Sequence, residues 1–221
     1  MGLAERHEAR IIMLSDYRAQ DQAEPDALAL LRRAWTDLRS GHALPARAAL
    51  EPRRIGPALA SAFIVERIAP GQARLRVAGA RLGALMGMEL RGMPLSALFE
   101  LDARDALADL LCDVFDAPCA ARLTLAAAPG FGRPALSGDM LLLPMTDRDG
   151  APNCALGGLV WQGTPGRLPR RLGIETIRRL PLPAQDKPAA PQPARFEMAE
   201  AATEFRPRPQ LRVVASNASA D

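Results

Sequence analysis

The apolar spacing between Asp102 and Phe115 constrains this chain more than any other stretch. Leu107, Leu110, Leu111, Val114 and Phe115 recur at i, i+3, i+4, i+7 and i+8, which is one buried face of a helix. Asp102 stands where it can cap that helix, Asp105 falls in its first turn, and Pro118 ends it. Upstream, Phe63 to Ile68 and Ala73 to Val77, joined by Pro70-Gly71, read as two strands and a turn. Arg74 and Arg76 alternate with Leu75 and Val77, so the arginines are expected on the solvent face. Downstream, Ala121 to Ala126, Ser137 to Met145 and Cys154 to Gln162 read as three more strands. The last two are parted by the turn signal Asp147-Arg148-Asp149-Gly150. Two strands, a helical block and three strands predict an α+β domain with a five-stranded, mostly antiparallel sheet.

The remaining segments arrange themselves around this frame. Residues 1–24 form a polar extension broken only by the apolar run Ile11 to Leu14. A helix is expected from Asp26 to Ser40, entered by Pro25 and closed by Gly41, with Leu28, Leu31, Trp35 and Leu38 as its apolar stripe. That stripe serves either packing within the chain or a partner. Pro45, Pro52 and Pro57 make the next stretch irregular, and Gly83, Gly87, Gly92 and Pro94 cut residues 80–98 into short helical turns. The globular domain is placed at residues 25–175. From residue 176 onward the prolines at 181, 183, 188, 191 and 193 and the scarcity of large apolar groups predict a disordered tail, with one weak amphipathic turn at Phe196 to Phe205.

Composition excludes several functions. Of 221 residues, 28 are Lys or Arg and 25 are Asp or Glu, too even a balance for a nucleic-acid coat or a polybasic membrane tail. Aromatics make up 4%, which does not supply the stacking platforms of a single-strand binder. An odd three cysteines give no disulfide framework and fit a reducing cytoplasm. No stretch approaches the roughly 18 apolar residues that cross a bilayer. Met1 to Arg10 has no apolar core of a secretory signal.

Catalytic constellations are lacking in the pattern. The two histidines, His7 and His42, both fall outside the expected core, so a nucleophile–histidine pair has no obvious partner. Cys112, Cys119 and Cys154 show no zinc-ligand spacing, and no metal site is predicted. Gly79, Gly83, Gly87 and Gly92 match neither a dinucleotide nor a phosphate loop, and the lone lysine, Lys187, sits in the tail. Asp102, Asp105, Asp109 and Asp113 mark a solvated helix face. The chain is expected not to be an enzyme.

The stretch Val77-Ala78-Gly79-Ala80-Arg81-Leu82-Gly83-Ala84-Leu85-Met86-Gly87, followed by Gly92-Met93-Pro94-Leu95-Ser96-Ala97-Leu98-Phe99, carries a strand end in small residues, short helices with an L-x-G step, and G-x-P-L-x-x-L-F before the long helix. In that order it resembles a PAS sensory domain. Trp35-Thr36-Asp37-Leu38-Arg39, Leu44-Pro45-Ala46-Arg47, Glu51-Pro52 and the closing Gly166-Arg167-Leu168-Pro169-Arg170-Arg171 resemble, more narrowly, a single-domain PAS family of alphaproteobacteria once classed as a domain of unknown function. The resemblance spans Tyr17 to Ile174.

It implies a five-stranded sheet with helices on one face around a small cavity, and pairing through the sheet's outer face or the flanking helix. The expected cavity residues are Phe63, Val65, Leu82, Leu85, Met86, Leu98, Leu107, Leu111, Leu142 and Trp161. The cofactor is unknown. The long helix offers no histidine to a haem, leaving only the thioethers of Met86, Met88 or Met93, and the cysteine motif of flavin photosensors is absent. The expected function is a cytoplasmic sensory or adaptor protein of bacterial signal transduction that binds other signalling proteins, either gated by a small ligand or as a ligand-free scaffold. Leu28, Leu31, Trp35, Leu38, Arg167, Arg170 and Arg171 are the expected partner contacts, and a homodimer is compatible with the helix stripe. Nucleic-acid binding through the arginine cluster is disfavoured, because no recognition helix accompanies it.

Overall fold

The computed structural model describes residues 26–39 and 43–182. The N-terminal extension with His7 and Ile11 to Leu14, the loop residue His42, and the tail with Phe196 to Phe205 lie outside the described residues. In chain order the elements are α1 (Asp26–Asp37), two 3-10 helices (Arg47–Ala49 and Pro52–Ala58), β1 (Ala62–Ala69) and β2 (Gln72–Ala78). Then come α2 (Ala80–Met86), a 3-10 helix (Leu95–Leu98), α3 (Arg104–Asp116), β3 (Cys119–Ala127), β4 (Leu136–Met145), β5 (Cys154–Gln162) and β6 (Gly173–Pro181).

The fold is α+β, built on an open antiparallel sheet in the order β2-β1-β5-β4-β3-β6. Alternation along the strands divides their side chains between two apolar layers. Phe63, Val65, Leu75, Leu123, Leu125, Met140, Leu142 and Leu159 face an inner layer with α2, the following 3-10 helix and α3. Leu141, Leu143, Met145, Cys154 and Leu156 face an outer layer with α1 and Ile55. Both faces of the middle strands are therefore covered. That is why Met140 to Met145 reads as an unbroken apolar run and is buried throughout.

The sheet carries a sixth strand where the start of a disordered tail was expected, so the domain continues past residue 175 through β6. β6 pairs with β3 from Ala126↔Gly173 to Cys119↔Pro181. Ile174 and Ile177 pack against the inner layer and Leu180 against the outer one, and Arg179 bonds Asp113 of α3 at 2.6 Å. The arginines of this stretch masked a strand of β-branched residues in the sequence pattern. Pro181 falls at the end of an edge strand, where a missing N–H is tolerated.

Three smaller expectations change as well. α3 starts at Arg104 with Ala103 as its N-cap, and Asp102 makes no capping bond. The proline-rich stretch after α1 contains two 3-10 helices. Finally, the β1–β2 register slips between Ile64 and Val65, so Arg76 is half-buried and Val77 is the exposed residue.

Candidate functional site

The ten residues expected to line a cavity are brought together in the inner layer. They come from β1, α2, the Leu95–Leu98 helix, α3, β4 and β5. Nine are exposed by no more than 6%. Trp161 is the exception: half-buried at the end of β5, it packs on the rim of the cluster with the Arg81 guanidinium 4.5 Å from its ring centroid. The same guanidinium donates to the Trp161 carbonyl at 3.3 Å. Of the methionines weighed as haem ligands, only Met86 belongs to the buried set. Met93 packs at its edge and Met88 is 50% exposed.

A cleft of about 600 Å³ opens elsewhere, at the end of edge strand β2, and shares none of the ten residues. Arg47, Arg76, Arg91 and Glu89 bring charge to it, and Val77, Met88 and Leu90 bring apolar surface. Arg76 is already committed to Glu66, whose carboxyl it holds below the ordinary range through a side-chain hydrogen bond. Composition and spacing did not point to this cleft, because Arg47 reaches it from a 3-10 helix before β1.

The expected partner contacts separate into two groups. Leu28, Leu31 and Trp35 are 0%, 0% and 4% exposed, packed on the outer face of β4 and β5. They are internal packing and present no stripe to a partner, which corrects the expectation; Leu38 is half-buried. The physical reason is the outer apolar row of the middle strands, which α1 covers. Each fully buried leucine here contributes about 1.5–3 kcal/mol. The Trp35 indole N–H donates at 2.8 Å to the carbonyl of Pro144. We expect Trp35→Phe to lose about 1–2 kcal/mol in urea unfolding, since a buried carbonyl is left without its donor.

Arg167 and Arg171 are exposed as expected, but Arg170 is 2% exposed and is corrected to a structural role. Its guanidinium donates to the carbonyls of Pro134 at 2.7 Å, Pro165 at 2.8 Å and Ala128 at 3.4 Å. It ties the β3–β4 loop to the β5–β6 loop.

The cysteines are graded by burial. Burial, with Asp113 nearby, pushes the Cys119 thiol up to about 11, and burial also raises Cys154. Cys112 is only half-buried. A thiol reagent at mildly alkaline pH should therefore label Cys112 first in the folded protein, and the other two only after denaturation. Prompt native-state labelling of Cys119 would contradict this order.

Family-level comparison matches residues 23–160 to the PAS domain. The chain belongs to the PAS domain family. The matched residues run from just before α1 into β5, so most of the inner layer and of the sheet falls within the match, while Trp161, Leu172, Ile174 and Ile177 of that layer lie past it. Arg170 and β6 lie beyond the match. No curated protein matches the chain. Among the described residues, no helix is long and apolar enough to cross a membrane.

Proposed function

We propose that this PAS domain is a sensory or adaptor module of bacterial signal transduction, working in the cytoplasm through contacts with other signalling proteins and without a catalytic step. The observation that carries this reading is the inner layer. Ten apolar side chains from six elements converge between the helices and the sheet, with Trp161 and Arg81 at the rim. A small apolar ligand taken up there would touch both the sheet and α3, and would alter the surfaces they support. The test is the native mass of the purified protein against its denatured mass. A surplus that disappears on denaturation supports ligand gating, and its value narrows the ligand's identity.

The second reading is a ligand-free scaffold. It is favoured by the continuous packing of the inner layer, nine of whose ten expected cavity residues are already buried against one another. Bare mass together with unchanged partner binding supports it. A second copy would have to pair elsewhere than through Leu28, Leu31 and Trp35.

A further inference from the structure

One surface feature belongs to neither layer of the domain. The β3–β4 connection closes in a two-residue hairpin turn, where the N–H of Gly130 bonds the carbonyl of Arg133 at 2.7 Å and the N–H of Arg133 returns the bond at 2.9 Å. Gly132 supplies the left-handed conformation at φ +67°. Phe131 stands beside it on the tip, 94% exposed. An aromatic side chain gains nothing from water there, and no other part of the described chain covers it.

Its surroundings are cationic. Arg133 is exposed next to it. The β5–β6 connection lies alongside, with the N–H of Arg167 donating to the Gly132 carbonyl at 2.7 Å, and Arg167 and Arg171 are exposed as well. Leu168, in the same connection, is 39% exposed. Across residues 128–135 and 163–172 the charged side chains are Arg133, Arg167, Arg170 and Arg171, with no Asp or Glu.

The tip is also held in place. The buried Arg170 guanidinium grips carbonyls on both connections. Gly166 lets them meet: a Cβ there would stand 2.5 Å from the Gly132 carbonyl oxygen and 2.7 Å from the Pro134 ring. Backbone bonds, Arg170 and Gly166 together fix an apolar point beside the exposed arginines Arg133 and Arg167.

We propose that the Phe131 hairpin is a peripheral membrane anchor that docks this domain on an anionic lipid surface, with Phe131 entering the acyl boundary and Arg133, Arg167 and Arg171 facing the headgroup phosphates. A lipid surface fits better than a protein groove. A stable protein interface needs about 800 Å² from each partner and several anchors, whereas this is a convex tip with one aromatic. A fluid anionic surface imposes no shape, and combines apolar insertion with electrostatic attraction to basic side chains. The proposal is independent of what the inner layer binds.

The test is sedimentation of the full chain with large vesicles of phosphatidylglycerol and phosphatidylcholine in a one-to-three ratio, against phosphatidylcholine alone. The protein is expected to bind the first and not the second, more weakly as salt rises. Phe131→Ser is expected to lower partitioning at least fivefold with the melting temperature unchanged, and Phe131→Trp to bind at least as tightly. Arg133→Gln with Arg167→Gln is expected to lower it at least tenfold and flatten the salt dependence, at about fivefold per arginine. Absence of binding to anionic vesicles overturns the proposal. So does equal binding by wild type and Phe131→Ser, which would mean adsorption by charge alone. A change of oligomeric state in Phe131→Ser without lipid would make the tip a protein contact and also overturn it.

Discussion

Gly157→Ala is expected to destabilise the protein by about 3 kcal/mol, at the upper end of what one added methyl does in a packed core. Gly157 lies at the centre of β5, directly across from Phe63 on β1. A Cβ there would fall 2.1 Å from two atoms of the Phe63 ring, which is itself fully buried. A ring cannot bend away as a flexible chain end does, so either β1 and β5 separate or Phe63 leaves its place in the inner layer. Urea or thermal unfolding measures the loss. A change below about 1 kcal/mol would show that the inner layer yields easily, and would favour a plastic interior able to admit a ligand.

The neighbouring glycine gives the control. A Cβ on Gly158 points to the other face and would meet Leu31 and Leu28 of α1 at 2.5 and 2.6 Å. These contacts are terminal methyl groups, which can turn aside. Gly158→Ala is therefore expected to cost about 1 kcal/mol, clearly less than Gly157→Ala, through a slightly lifted α1.

Arg170→Met is the second large effect, expected at about 3 kcal/mol. Its three acceptors are backbone carbonyls, and charged hydrogen bonds of this kind are worth more than neutral ones. Methionine fills much of the volume but leaves those carbonyls without a donor. Arg170→Lys should recover less than half, because one ammonium cannot reach acceptors on two loops as a planar fork does. Arg167→Met, on an exposed neighbour, should change stability by no more than about 0.5 kcal/mol. If Arg170→Met were equally mild, the two loops would be held by their backbone contacts, and the guanidinium would be incidental.

Surface ion pairs are not expected to produce effects of this size. Arg67 with Asp116 at 2.6 Å and Arg122 with Asp139 at 3.1 Å are partly solvated. Exposed pairs of this kind contribute about 0.2–1 kcal/mol.

Much of the inner layer was legible because its signal is local. The stripe from Leu107 to Phe115 is fully buried, as its spacing required, and all ten expected cavity residues reach one cluster. The outer layer had a local signal too, in the unbroken run from Met140 to Met145, which within a strand calls for cover on both faces. That run says a second layer exists without saying that α1 supplies it, so Leu28, Leu31 and Trp35 remained open between packing and partner binding.

Arg170 was not legible. Nothing distinguishes it from Arg167 and Arg171 in sequence, and two of its acceptors lie 36 and 42 residues upstream. β6 was hidden for a related reason: Arg178 and Arg179 suggest a solvated linker until β3 offers an edge and Asp113 a counter-charge.

Local pattern was enough for the α+β class, the succession of the first five strands along the chain and ten residues of the inner layer. Periodicity of 2 and 3.6 residues states which side of an element is apolar, and this needs no knowledge of neighbours. Contacts between distant segments set α1 over the outer face, added a sixth strand to the sheet, and buried one arginine of a cluster while its neighbours stay exposed. Those outcomes depend on carbonyls, strand edges and apolar rows brought together from distant positions, and a side chain's role there is set by what it meets.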